Sequence, residues 1–235
     1  MKHVARLALA VLLVASATAR GQEQPTPNPY PTMAPVAAYL IASPADEIAL
    51  ARSAAPPSIS SHAEVLVLAR HGYRVAVKGD NGFVCIVSHS WFAGFDDPDF
   101  WNPHSRGPEC LNPAAVRSVL PEFLARTQWV LDGDTKPELI AKTKAAFASH
   151  RFSMPAPTSF AFMLSKEGYL NNVHGPWLPH VMPFIPFGQE AQWGAGLPGS
   201  PILETVGNPY QATILYIPVR RWSDGSPAPT PPPMH

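Results

Sequence analysis

Val65-Leu66-Val67-Leu68, then Tyr73-Arg74-Val75-Ala76-Val77-Lys78, then Gly79-Asp80-Asn81-Gly82-Phe83-Val84-Cys85-Ile86-Val87, all within residues 64–91, decide the fold class. The first run is compactly apolar. In the second, Tyr73, Val75 and Val77 alternate with Arg74, Ala76 and Lys78, the period of a half-buried strand. Residues 83–87 are apolar on both faces, as a central strand covered from both sides requires. Asn81-Gly82 accepts the positive φ angles of a tight hairpin, so residues 79–82 are expected to turn the second strand directly into the third.

Upstream, Ser43-Pro44-Ala45-Asp46 combines a capping box with proline at the first helical position, which predicts a helix from Pro44 to about Ala54, stopped by Pro56-Pro57. Downstream, residues 91–112 carry Trp91, Phe92, Phe95, Phe100 and Trp101 among Gly, Pro and Asp with no steady period, and read as a long ordered loop. Asn112-Pro113 begins a second helix with Val116, Val119, Leu120, Phe123 and Leu124 on one face, bent or split at Pro121. Thr135-Lys136-Pro137-Glu138 begins a third. Strand candidates follow at 160–164, 181–187 and 212–219; Pro183 and Pro186 predict an edge position for the middle one, because proline cannot donate to a ladder. Strands at both ends with helices between them give an α+β domain: a mainly antiparallel sheet of about five to six strands, three short helices and proline-rich tails.

Lys2 and Arg6, the apolar run 7–15 and Ala17-Thr18-Ala19 form a secretory signal peptide, too short to span a bilayer, with cleavage expected after Ala19 or close to it; an uncleaved anchor is the alternative. The expected organisation is a signal peptide at 1–19, a proline-rich disordered segment at 20–37, a single α+β domain at 38–225 and a proline-rich disordered tail at 226–235. The expected location is secreted or periplasmic, with no integral membrane segment after cleavage. The chain carries 17 basic and 17 acidic residues; without Lys2 and Arg6 the balance is 15 against 17. That balance lacks the basic excess that phosphate backbones select, so no nucleic-acid partner is expected. Cys85 and Cys110 are the only cysteines, and in an oxidising compartment they are expected to pair; two separate buried or loop thiols are the alternative.

Several motifs invite chemistry. Arg70-His71-Gly72 resembles the Arg-His-Gly signature of the histidine phosphatases, whose histidine accepts a phosphoryl group, but here it runs straight into the strand at Tyr73 and reads as a strand-ending turn with Gly72 in a special conformation. Asp96, Asp97 and Asp99 lack the EF-hand spacing and read as turn formers. Gly199-Ser200-Pro201 lacks the second glycine of a nucleophile elbow. No His-Glu-x-x-His and no phosphate loop occur. His174 and His180, six residues apart on a loop stiffened by Pro176 and Pro179, supply two imidazoles that could converge on a metal, with a third ligand to come from elsewhere, such as His89, His150 or the aspartates.

Taken with the 64–91 stretch and Cys110, the segments Trp177-Leu178-Pro179-His180, Trp193-Gly194-Ala195-Gly196-Leu197-Pro198-Gly199-Ser200-Pro201 and Trp222-Ser223-Asp224-Gly225 make the chain, from about Tyr39 to Pro227, resemble a family of uncharacterised exported bacterial proteins. The resemblance implies an exported location and a single domain, and brings no activity or catalytic residue. Members of that family often carry further histidines beside the position of His180, where this chain has Pro176 and Leu178, a departure that weakens a metal reading. The leading expectation is therefore a domain that binds a small-molecule or protein ligand through its aromatic loops, with Trp101, Trp177, His174, His180 and Trp193 as contacts, and without a cofactor or metal. The alternative is a metal-assisted or phosphate-handling hydrolase using His174 and His180.

Overall fold

The computed structural model describes residues 28–169 and 178–229. The segments read as signal peptide and proline-rich leader up to residue 27, the tail from residue 230, and His174 and Trp177 lie outside the described residues.

Helix starts follow the capping chemistry. Ser43 Oγ accepts from the backbone N–H of Ala45 and Asp46 at the head of α1 (Pro44–Arg52). Pro57, expected only as a stop, occupies the first turn of the one-turn helix α2 (Pro57–Ser60), where its missing N–H costs nothing. Asn112 Oδ1 caps α3 (Pro113–Ser118) through Ala115 N. Val119 then breaks the chain into α4 (Leu120–Leu131), with Pro121 absorbed in its first turn. Thr135 and Glu138 close a reciprocal capping box on α5 (Lys136–Ala148). Among the described residues five α-helices thus replace the expected three.

The described residues form eight strands, β1 (Glu64–Ala69), β2 (Gly72–Val77), β3 (Val84–Ser88), β4 (Gly107–Leu111), β5 (Phe160–Met163), β6 (His180–Ile185), β7 (Leu203–Thr205) and β8 (Thr213–Pro218), in the order β2-β1-β3-β4-β5-β6-β8-β7. The α+β class holds; the count of five to six strands does not. The hairpin is β1–β2, turned by Arg70-His71 with Gly72 at φ 114°. The expected direct pairing of β2 with β3 is absent, because residues 78–83 carry the chain across the start of β1 and β3 lies parallel on its other side. Gly79 marks that crossing: a Cβ there would stand 2.1 Å from Glu64 N, so only glycine fits. All other neighbouring pairs are antiparallel.

β6 also departs from expectation, lying inside the sheet between β5 and β8. Its pairing with β8 skips Met182 and Pro183, so the N–H that proline lacks falls in a gap of the ladder.

One face of the sheet, carrying Leu66, Ile86, Leu111, Ala161 and Phe184, packs against Ala115, Val119, Leu120 and Phe123 of the α3–α4 layer. The other face, carrying Val65, Cys85, Val87 and Cys110, packs against Ala51 in α1 and Ala54, Ala55 and Ala63 beyond it. Those alanines let backbone approach backbone, and Leu164 N donates to Ala54 O at 2.9 Å. Cys85 and Cys110 are direct cross-strand partners in β3 and β4 and form a disulfide. Fully burying a side chain such as Ile86 or Leu111 contributes about 2–3 kcal/mol, so these two layers dominate the stability. Among the described residues no helix is long and apolar enough to cross a membrane.

Candidate functional site

The sheet opens where the parallel pair β1–β3 ends. Glu64 N donates to Phe83 O at 2.9 Å, and continuing that ladder would bring Leu68 N to Val87 O. Instead Leu68 N donates to Glu47 Oε1 at 2.7 Å, and Val87 O accepts from the Tyr73 hydroxyl at 2.6 Å. A carboxylate from α1 and a phenol from β2 thus replace one backbone bond and hold β1 and β3 apart at their carboxyl ends. Burial raises the Glu47 pKa above the usual carboxylate range, while the Leu68 N–H and the Arg106 and Arg74 charges pull it back. Burial pushes Tyr73 well above a normal phenol, with the negative potential of Glu47 and Glu109 adding to the shift.

Further ionisable groups gather at this end. His89, which follows β3, is 4% exposed, stacks on Trp91 at 4.8 Å between ring centroids, and has no hydrogen-bond partner on either ring nitrogen. Burial, reinforced by Arg106, keeps it well below the normal histidine pKa, hence neutral. Arg106 is tied to the carbonyls of Pro103, Ser105 and Ala38. Glu109, on the helix-covered face of β4, is 1% exposed, and burial pushes its pKa up to about 8 against the lowering pull of the Ser88 hydroxyl. It is a neutral carboxylic acid at pH 7.

The loop that starts at His89 forms one wall of a neighbouring cleft of about 60 Å³, floored by Phe92, Phe123, Phe184 and Ile214. Phe92 stacks on Phe123 at 4.3 Å and Phe123 meets Phe184 edge to face at 6.1 Å. The loop does not hold Phe92 there by itself. Arg126 of α4 donates to Trp91 O at 3.1 Å and Ala93 O at 3.2 Å, the carbonyls on either side of Phe92. Its other terminal nitrogen pairs with Glu122 one turn back, and its plane lies over Phe95 at 4.6 Å. Burial raises the Glu122 pKa while Arg126 opposes the shift. The Trp91 indole N–H donates to Thr127 Oγ1 at 3.0 Å, a second clamp from the same helix. An apolar floor beside a buried, internally compensated ion pair can seat an uncharged group without a desolvation penalty on the charges.

Of the expected contact residues, the described ones, Trp101, His180 and Trp193, belong to separate parts of the sheet and its loops. Trp101 is 6% exposed and packed with Tyr39, Trp91 and Phe100, with its backbone carbonyl accepting from the Tyr39 hydroxyl at 2.9 Å. It forms part of a core, and so does Trp91. Trp193 is 44% exposed at the end of a short 3-10 turn between β6 and β7. His180 is buried on the helix-covered face, its Nδ1 2.7 Å from Leu178 O and its ring 5.4 Å from Tyr216; burial lowers its pKa. Donation from Nδ1 leaves Nε2 as the acceptor nitrogen. Among the described residues no group of three or more His, Cys, Asp or Glu side chains is placed to hold a metal ion. Asp97 Oδ1 accepts from Asp99 N at 2.7 Å, a local turn bond. His71 sits at the tip of the β1–β2 hairpin. Sequence reasoning missed Glu47, Arg106, Glu109, Glu122 and Arg126; a lone charge inside an apolar run, as at Glu109 between Pro108 and Cys110, was the available signal.

These features define an α+β domain with a mainly antiparallel sheet, a polar opening at one end of it and an aromatic cleft beside that opening. No protein-family model, curated protein or solved structure matches the chain.

Proposed function

We propose that this chain is an exported domain that binds a small ligand by an apolar end in the Phe92–Phe123–Phe184 cleft. The observation that carries this reading is the double clamp on Phe92: Arg126 grips the carbonyls on both sides of it, so the cleft wall is set before any ligand arrives. A preorganised wall spares the ligand the cost of ordering it. The volume suits a short alkyl end, with the remainder of the ligand outside the cleft. The disulfide supports export to an oxidising compartment, since such bonds rarely persist among reducing thiols.

The test uses n-butanol, followed through the Val119 methyl resonances by NMR. Saturable shifts are expected in the native protein. Ile214→Trp, which fills the cleft from its floor, should weaken them at least ~10-fold with the circular dichroism unchanged. Shifts that grow linearly without saturating, or that survive in the variant, would remove the cleft from the account.

A further inference from the structure

Six of the seven exposed large apolar side chains among the described residues fall within 24 positions: Phe187, Trp193, Leu197, Leu203, Val206 and Tyr210. In sequence they lie within and on either side of β7, the strand that ends the sheet order, and among the described residues its outer side pairs with no other strand. Natural edge strands are ordinarily protected by lysines, prolines or a bulge. Here residues 202–206 contain no proline, and Glu204 is the only charged residue between positions 191 and 219. Glu204 is folded back rather than displayed: its Oε1 lies 2.6 Å from where a Cβ on Gly196 would be, and its Oε2 is buried without a partner. Leu203 and Thr205 pair with Tyr216 and Ile214 and share the helix-covered face of the sheet. The 194–202 loop, anchored by Gly196 N donating to Ile202 O at 3.2 Å and by Ala195 packed on Leu215, puts Leu197 on the other face. A strand added to β7 would therefore meet apolar side chains on both of its faces.

We propose that a second copy of this chain pairs with β7, joining the two sheets edge to edge about a two-fold axis. Three observations favour that occupant. The edge is almost uncharged, so two copies meet without repulsion. Identical antiparallel edges close on themselves, leaving no free edge to recruit a third copy. From their fractional exposures, the six side chains present on the order of 500 Å² per copy, a large part of the ~800 Å² per partner of a stable interface. Centring the axis on Leu203 sets the two leucines opposite each other and keeps the two Glu204 carboxylates apart.

Sedimentation equilibrium of the full mature protein is expected to show a dimer at about 100 µM or below. Leu203→Lys sets two ammonium groups opposite each other and should raise the dissociation constant at least ~10-fold. Val75→Lys, on the opposite edge strand β2, should leave it unchanged. Leu203→Cys, oxidised without reductant, should yield a covalent dimer. A monomer at about 100 µM, a dimer indifferent to Leu203→Lys, or a monomer that instead sediments with phosphatidylcholine vesicles would each overturn the assignment.

Discussion

Glu109→Gln is expected to stabilise the protein by on the order of 3 kcal/mol at pH 7, with a rise of roughly 6–10 °C in Tm. The carboxyl has a folded pKa of about 8 against a reference of 4.5, so the native state holds a proton that the unfolded chain releases. Stability from this group is complete below about pH 4.5, falls as pH rises toward 8 and is fully lost above it. Glutamine is nearly isosteric, is neutral at every pH and still faces the Ser88 hydroxyl. Glu47 and Glu122 shift in the same direction and His89 in the opposite one, so the informative quantity is the difference between native and variant. Urea unfolding at pH 5, 7 and 8.5 reads it. The gap should be small at pH 5 and widen with pH; a constant gap would mean that Glu109 is ionised in the folded protein.

Cys85→Ala with Cys110→Ala should lower stability by about 3 kcal/mol and Tm by on the order of 10 °C. The bridge spans 25 positions and restricts the unfolded chain accordingly. Since Cys85 and Cys110 already face each other across β3 and β4, the native ladder needs little rearrangement to form it. Peptide mapping without reductant should recover both residues in one linked fragment. Equal Tm values for the native protein with and without reductant would show that the bridge contributes nothing.

What could be read from the residues was local chemistry. Ser43, Asn112 and Thr135 announced helix starts because a cap is written within four residues, and Pro121 announced the break that falls at Val119. The β2–β3 pairing was misread because Asn81-Gly82 is a strong local turn signal, whereas the route across β1 depends on Gly79 passing Glu64 N, a contact between residues 15 positions apart. β4 escaped notice because Gly107-Pro108-Glu109-Cys110-Leu111 breaks the usual strand composition, and β7 because three residues carry no period. The aromatic loop was legible as a cluster, yet whether a tryptophan there faces solvent depends on partners such as Tyr39 and Thr127, which are distant in sequence. The cleft was invisible for the same reason: Phe92, Phe123, Phe184 and Ile214 come from four separate segments.

The strand order bears on how the chain assembles. β1 and β2 can close as a hairpin by themselves, and each of β3, β4, β5 and β6 pairs with a strand that precedes it in the chain: β3 with β1, and each later one with its predecessor. Only β7 must wait, and only for the seven residues before β8 begins. A chain that emerges amino end first, from a ribosome or through a translocation pore, can therefore build this sheet outward as it arrives. No early strand has to be kept soluble until a distant carboxyl-terminal partner appears. The growing margin is always the most recently delivered segment, which shortens the time any unpaired edge is open to wrong association.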